Sequence, residues 1–356
     1  MTTRRGFLAT LLATATLPTL TWADAGGPAF LAAAREPDGG FALFGLTDRG
    51  QETFRIPLPA RGHAGAGHPF RPEAVTFARR PGTFALVIDC ARGQVTQRLT
   101  APAGHHFSGH GTFSNDGETL FTAEVDDATG EGWIGQWCRA DGYRRIGQFT
   151  SGGIGPHELT RLRDGTLVVA NGGIIVARDD ERTKLNLGSM RPNLSYLSTA
   201  GALLDQVTLA PDLSRNSIRH LATHADGTVA FAMQWEGAET TNPPLLGLHR
   251  LGQEPVLCAV PEAIAPRLKG YAGSVSFDGD QRRVAFTSPT GGVVAVFDHE
   301  GRFLAMPQRP DVCGVGAGPD GFVTTDGLGG VMALTADAFS PFATFDRAWD
   351  NHLIAV

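Results

Sequence analysis

The residues best suited to chemistry in this chain are histidines that recur at long intervals. Five of the 11 histidines open short apolar segments of similar pattern, and the corresponding positions of two further segments hold serine and cysteine. In chain order the seven positions are His63, His110, His157, His220, Ser274, Cys313 and His352. They follow one another at intervals of 47, 47, 63, 54, 39 and 39 residues. A repeat of about 40–50 residues is typical of the four-stranded blades of β-propellers.

Equivalent residues of propeller blades form a ring at the mouth of the central channel. Imidazole nitrogen is a preferred ligand of zinc, copper and iron, and a thiolate adds a preference for copper. Calcium and magnesium are disfavoured, because the ring positions hold no carboxylate. The sequence therefore predicts a site for a transition metal, iron or copper, or for a metal-containing ligand. The candidate ligands are His63, His110, His157, His220 and His352, with Cys313 as a sixth candidate contact.

A purely structural role is the alternative for these histidines. Repeat propellers often place a glycine–histidine pair before the inner strand, where the ring hydrogen-bonds neighbouring turns. Gly62-His63 and Gly109-His110 fit that role, whereas His157 and His220 lack the preceding glycine. The tryptophan–aspartate partner of such repeats is missing from every blade, so the sequence leaves both interpretations open.

Several polar residues accompany the predicted ring. Glu158, Arg219 and the pair Asp350-Asn351 stand beside ring histidines, where they could orient the imidazoles or contact a bound ligand or cofactor. Two more candidates occur in an insertion at about 178–206, where we expect a long loop that forms a lid; they are Asn193 and Tyr196. The alternative for all of them is a cross-strand position satisfied by backbone. No nucleophile elbow, phosphate-binding loop or zinc-protease motif is present, and the catalytic residues stay unassigned.

The elements that must position these residues are short β-strands. Runs of β-branched and aromatic residues recur between Asp-Gly, Gly-Gly and Pro-Gly turns, as in TLVVANGG and RVAFTSPTGG. The pattern predicts an all-β fold, a seven-bladed β-propeller over residues 26–356. Three N-terminal strands lack a head residue, and the last head is followed by a single strand. We therefore expect the C-terminal strand to join the N-terminal strands and close the ring.

Composition narrows the class of protein further. The chain has 356 residues, 42% of them hydrophobic, and a formal net charge of −6 with no concentrated basic stretch, which disfavours nucleic-acid binding. The four cysteines are too far apart for a zinc ribbon or a haem attachment motif. Residues 1–25 combine Arg4-Arg5, an apolar run and a small-residue exit, which predicts a twin-arginine export signal and a periplasmic location. After its removal we expect no transmembrane segment.

Six segments together point to a known family. They are ARRPGTFALVID, GHGTFSNDG, GGIGPHELTRLRDGTLVVANGGI, KLNLGSMRPNLSYL, SIRHLA and GSVSFDG. Over nearly its whole length the chain resembles the bacterial domain of unknown function 1513 family. The resemblance implies an exported propeller connected with iron acquisition, whose partners would be an imelysin-like iron-uptake protein or a di-haem peroxidase-like protein. It supplies no catalytic residues.

Three functional hypotheses follow. The first is a periplasmic propeller that binds a metal or a metal-containing ligand at the histidine-rich mouth, as an accessory in iron acquisition. The second is a non-catalytic interaction platform for iron-uptake partners, with structural histidines. The third is a propeller enzyme of the lactonase, lyase or oxidoreductase kind. It is disfavoured because the carboxylate-rich calcium site of lactonases and the repeat signatures of quinoproteins are not visible. Whether the protein is an enzyme stays open at this level.

Overall fold

The chain folds into a ring of seven antiparallel β-sheets, which confirms the predicted seven-bladed propeller. The computed structural model describes residues 19–79, 82, 84–177, 183–335 and 337–356. Within them, 29 strands and four short 3-10 helices are found. Blades 1 to 6 contain four strands each in chain order, and their first strands contact one another around the central channel.

The strands are numbered along the chain and grouped by blade. Blade 1 contains β4 (Gly62–Gly67), β5 (Glu73–Ala78), β6 (Ala85–Asp89) and β7 (Gln94–Leu99). Blade 2 contains β8 (His105–Phe113), β9 (Thr119–Asp126), β10 (Glu131–Cys138) and β11 (Arg144–Ile154). Blade 3 contains β12 (Pro156–Arg161), β13 (Leu167–Asn171), β14 (Asn193–Leu197) and β15 (Leu203–Thr208). Blade 4 contains β16 (Asn216–Thr223), β17 (Val229–Trp235), β18 (Leu246–His249) and β19 (Val256–Cys258).

The remaining elements complete the ring. Blade 5 contains β20 (Ser274–Phe277), β21 (Arg283–Ser288), β22 (Val293–Asp298) and β23 (Phe303–Ala305). Blade 6 contains β24 (Val312–Gly318), β25 (Gly321–Asp326), β26 (Gly330–Thr335) and β27 (Ala338–Thr344). Blade 7 contains β1 (Phe30–Arg35), β2 (Phe41–Leu46), β3 (Glu52–Leu58), β28 (Ala348–Trp349) and β29 (Ile354–Ala355). The 3-10 helices are Trp22–Ala25, Leu187–Ser189, Pro211–Leu213 and Ala265–Leu268.

Blade 7 joins the two ends of the chain, as the sequence predicts. The short strands β28 and β29 both pair antiparallel with β1, at its two ends, and β2 and β3 extend the sheet outward. Because the C-terminal strands cover the inner edge of β1, this edge is paired and cannot recruit another chain.

Seven apolar clusters fill the seven interfaces between blades. Successive residues of one strand point to opposite faces of its sheet, so each strand supplies two clusters. In β13, Val168 packs toward blade 4 and Val169 packs toward blade 2. In β2, Leu43 packs toward blade 1 and Phe44 toward blade 6. Burial of both faces explains why the strands read as continuous apolar runs.

The long connection in blade 3 is shorter than the insertion expected from the sequence. Only the segment between β13 and β14 departs from the blade pattern, and residues 178–182 within it lie outside the described residues. The later part of the expected insertion forms β14 and β15, regular strands of the blade. The prediction that Asn193 and Tyr196 lie on a long loop is therefore wrong.

The N-terminal and cysteine features complete the description. Residues 1–18 of the predicted export signal lie outside the described residues, while Trp22 donates an indole hydrogen bond of 3.0 Å to the carbonyl of His68. The four cysteines are free thiols, three of them buried and Cys138 half-buried. Across the part of the chain that the structure describes, no helix has the length and apolar character needed to cross a membrane.

Candidate metal centre

Four of the ring histidines lie inside the innermost strands rather than in exposed loops before them, and His352 lies in the segment between β28 and β29. In the blades of these four histidines, the regular pairing between the first and second strands is interrupted close to the histidine. The interruptions fall between Gly62 and Gly65, between Phe107 and Gly111, between Pro156 and Glu158, and between Ile218 and His220. A bulge places an extra residue in one strand and re-aims its side chain. The expected exposed ring at the channel mouth is therefore a buried cluster within the channel.

The five imidazoles meet in one cluster. The ring centroids of successive members lie 4.9 Å apart for His63 and His110, 5.1 Å for His110 and His157, and 4.7 Å for His157 and His220. His352 closes the circuit, at 4.9 Å from His220 and 4.7 Å from His63. All five side chains are buried, at 9% exposure or less. We call these five residues the histidine cluster.

Two sets of three histidines within the cluster could hold a metal ion. The inner trio is His63, His110 and His157, and the outer trio is His110, His220 and His352. In each trio the candidate ligand nitrogens lie within 4.8 Å of one another. Ligands about 2.0–2.1 Å from a tetrahedral ion are about 3.3 Å apart, so small side-chain movements would complete the coordination. His110 belongs to both trios.

Two imidazoles of the outer trio, those of His220 and His352, are held in the neutral form that binds metals. Burial lowers the pKa of His220 and of His352 well below the usual value, and the charge of His63 contributes in the same direction. The Nε2 atom of His352 is buried without a hydrogen-bond partner among the described residues. A neutral imidazole with an unengaged ring nitrogen can donate its lone pair to a metal ion.

Glu158 lies against the outer trio, next to His157 in β12. Its Oε2 is 3.2 Å from Nδ1 of His220 and 3.9 Å from Nδ1 of His110. Desolvation raises the pKa of Glu158 to about 8. A carboxyl group on Nδ1 fixes the orientation of the ring and directs Nε2 of His220 away from Glu158.

A second carboxylate supports the inner side of the cluster. Asp350 is buried, accepts a hydrogen bond of 2.5 Å from Nε of Arg61, and has Oδ1 3.9 Å from Nδ1 of His63. Burial opposes its ionisation, yet the contacts with His63 and Arg61 hold the pKa of Asp350 well below its usual value. Asp350 was a sequence candidate, whereas Arg61 was not. The position of Arg61 two residues before His63 could have identified it in the sequence.

Blades 5 and 6 contribute no ring to the cluster. Ser274 sits in regular pairing with Thr287, and its hydroxyl accepts a backbone hydrogen bond from Val315. The thiol of Cys313 faces the backbone carbonyls of Thr325 and Trp349, at 3.5 Å each. Burial raises the pKa of Cys313 to about 12, which disfavours the thiolate needed for metal binding. Among the described residues, neither trio includes Cys313, so its expected role as a sixth contact loses its basis.

The predicted accessory residues separate into those near the cluster and those away from it. Arg219 turns toward Ser217 and Glu236, with Nε 2.8 Å from the Ser217 hydroxyl. Asn351 donates its backbone N–H to Asp350. Asn193 hydrogen-bonds Asn171 inside blade 3. These contacts give the three residues a structural role within their blades.

Tyr196 is likewise a core residue of blade 3. Its side chain is fully buried, and its hydroxyl lies 2.7 Å from Nδ1 of His249 in blade 4. The polar end of the tyrosine is therefore satisfied across a blade interface. Of the accessory residues expected from the sequence, Glu158 and Asp350 place a carboxyl group near the histidine cluster.

A cavity of about 600 Å³ leads from the outside to the outer trio. Its wall is made by the ends of the inner strands that follow the histidines, together with Glu158 and all three members of the outer trio. His63 and His157 do not line this cavity. The outer trio therefore faces this cavity.

Sequence comparison places the chain in a family. A family model described as "Protein of unknown function (DUF1513)" matches residues 56–356, which include every member of the histidine cluster. The chain belongs to the DUF1513 family. A search of curated proteins finds no match to this DUF1513 chain.

Solved structures confirm the architecture of this DUF1513 protein and no more. A structure titled "Streptogramin B lyase structure" is 12% identical, with a TM-score of 0.55, over 84% of this chain and 90% of that one. A second, titled "KlHsv2 with loop 6CD replaced by a Gly-Ser linker", is 12% identical, with a TM-score of 0.53, over 89% of this chain and 91% of that one. At this identity the likeness concerns the fold alone.

Proposed function

We propose that this propeller binds a transition metal ion through the histidine cluster. The observation that carries the proposal is the pair of overlapping trios, whose candidate ligand nitrogens lie within 4.8 Å of one another in a buried site. The five rings face one another, which is the arrangement a shared ion requires. The all-nitrogen donor set suits iron, copper and zinc.

The surrounding carboxyl groups support the same proposal. A metal-ligating histidine generally engages its second nitrogen with a carboxylate, a carbonyl or water. Glu158 is placed to do this for His220, and Asp350 lies near His63. A metal ion brings positive charge into a buried site, and the two carboxyl groups would offset that charge.

Metal content of a matched pair of variants tests the proposal. His110→Gln removes a ligand from both trios, whereas His299→Gln changes an exposed histidine outside the cluster. We expect wild-type protein and the His299 variant to retain Zn²⁺, Cu²⁺ or Fe²⁺ after gel filtration, and the His110 variant to lose nearly all of it. Elemental analysis measures the content, and circular dichroism verifies the fold. A wild-type protein that binds none of the three ions would leave the cluster a structural feature and refute the proposal.

We also propose that the protein works outside the cytoplasm as an accessory in iron acquisition. The support is the Arg4-Arg5 export pattern and the family resemblance, which implies imelysin-like or di-haem peroxidase-like partners. Cell fractionation of the wild type and of an Arg4→Lys, Arg5→Lys variant tests the location, with retention of the variant in the cytoplasm expected. Growth of a deletion strain under iron chelation tests the role. Unimpaired growth would remove the link to iron.

A further inference from the structure

The outer trio of the histidine cluster faces the cavity. His110, His220 and His352 line the cavity, whereas His63 and His157 lie outside its wall. A metal held by the outer trio would therefore have protein nitrogens on one side and open space on the other. Three protein ligands plus an open position is the arrangement of metal sites that bind exchangeable ligands, whereas structural sites are closed by four.

The charges along the cavity point to the sign of such a ligand. Asp278 is engaged by Arg283, with 2.7 Å between its Oδ2 and Nε of the arginine. Arg161 makes its hydrogen bonds to the neutral carbonyl of Phe113 and to Asn115. Arg163 is exposed and also lines the cavity. Arg161 and Arg163 thus add positive charge to a wall whose Asp278 is already paired, and this favours an anion.

We propose that the outer trio holds its metal with an open coordination position, and that a small anion from the cavity binds the metal there. This inference rests on the proposed function, because it needs a bound metal. The cavity volume of about 600 Å³ admits an anion together with a sizeable organic remainder.

Azide binding to the Cu²⁺-loaded protein tests the open position. We expect azide to add a charge-transfer band that saturates with concentration, with no loss of copper. If copper does not bind at all, the proposed function fails. If copper binds and its spectrum ignores azide, the metal is saturated by histidines and the present inference is overturned. The two failures are therefore distinguishable.

A matched pair of variants tests the route through the cavity. Ala317 is exposed and lines the cavity, while Ala200 is exposed in the turn between β14 and β15. Ala317→Trp should slow azide association by roughly tenfold while copper content stays unchanged, and Ala200→Trp should match the wild type. Should Ala317→Trp lose copper, Ala355→Trp places the same bulk on another part of the wall. Unaltered azide association in a copper-loaded blocking variant would overturn the route.

The arginines test the class of ligand. The double variant Arg161→Gln, Arg163→Gln removes two positive charges from the cavity wall. At low salt we expect its azide affinity to fall by roughly threefold or more, and the difference to shrink as salt screens the charges. Equal affinity in the double variant and the wild type would overturn the assignment of an anion.

Discussion

Replacing Glu158 by glutamine tests the electrostatics of the histidine cluster in metal-free protein. The pKa of Glu158 is about 8 in the folded chain and 4.5 as an unperturbed group. Between these values the folded state binds more protons than the unfolded state, so folding stability decreases as pH rises. Each pH unit within the window changes the free energy of unfolding by about 1.36 kcal/mol. From pH 6.5 to 8 the loss amounts to about 1.5 kcal/mol.

The two buried histidines act in the opposite direction at lower pH. The pKa values of His220 and His352 lie well below their unperturbed value of 6.5. Below pH 6.5 the unfolded state therefore binds more protons, and stability decreases as pH falls. Glu158 acts against this loss, because it adds about 1.3 kcal/mol of stability as pH falls from 6.5 to 5.5.

Urea unfolding of the chelator-treated protein between pH 5.5 and 8 is the assay. The Glu158→Gln variant should lose the decline above pH 6.5 and show a steeper decline below it, by about 1.3 kcal/mol per unit. The difference between the two profiles is the decisive quantity, because contributions from other titrating groups cancel in it. Parallel profiles for the wild type and the variant would show that Glu158 does not titrate in this window and refute the reasoning.

Four further substitutions, in two matched pairs, probe the arrangement of the cluster. His157→Gln disrupts the inner trio alone and should leave metal binding and its azide response intact. His352→Gln disrupts the outer trio and should abolish both. Loss of metal in the His157 variant would assign the ion to the inner trio. Gly109 has a φ of 104°, and a Cβ there would lie 2.6 Å from Cδ2 of His63, so Gly109→Ala should destabilise the fold by about 1–3 kcal/mol and weaken metal binding. Gly93→Ala shares the positive φ without a neighbour within 4 Å and should leave metal affinity unchanged, which separates backbone strain from the contact.

The repeat made the architecture accessible to sequence reasoning. Turn signals and head residues recur at the blade interval, and each blade obeys the same local rules of strand and turn formation. The ends of the chain also revealed how the ring closes, because the number of strands on each side was complementary. The five histidines were found because they occupy one position of that repeat.

The burial and the direction of the head side chains could not be predicted from the sequence in the same way. Whether a head residue points into the channel depends on a bulge, and a bulge is set by pairing with the next strand rather than by local sequence. Cys313 occupies the same repeat position as the histidines, yet its thiol faces Thr325 and Trp349. The segment at Tyr196 looked like a loop because polar residues interrupt it, whereas its polar groups are satisfied by neighbouring blades.

The place of His352 in blade 7 links the cluster to the closure of the ring. His352 lies between β28 and β29, the two short strands that dock on β1 and close the ring. The outer trio can therefore form only when these two strands have paired with β1, which is far from them along the chain. A chain in which blade 7 is open lacks one of the three imidazoles at its place, so metal retention would report that the ring has closed.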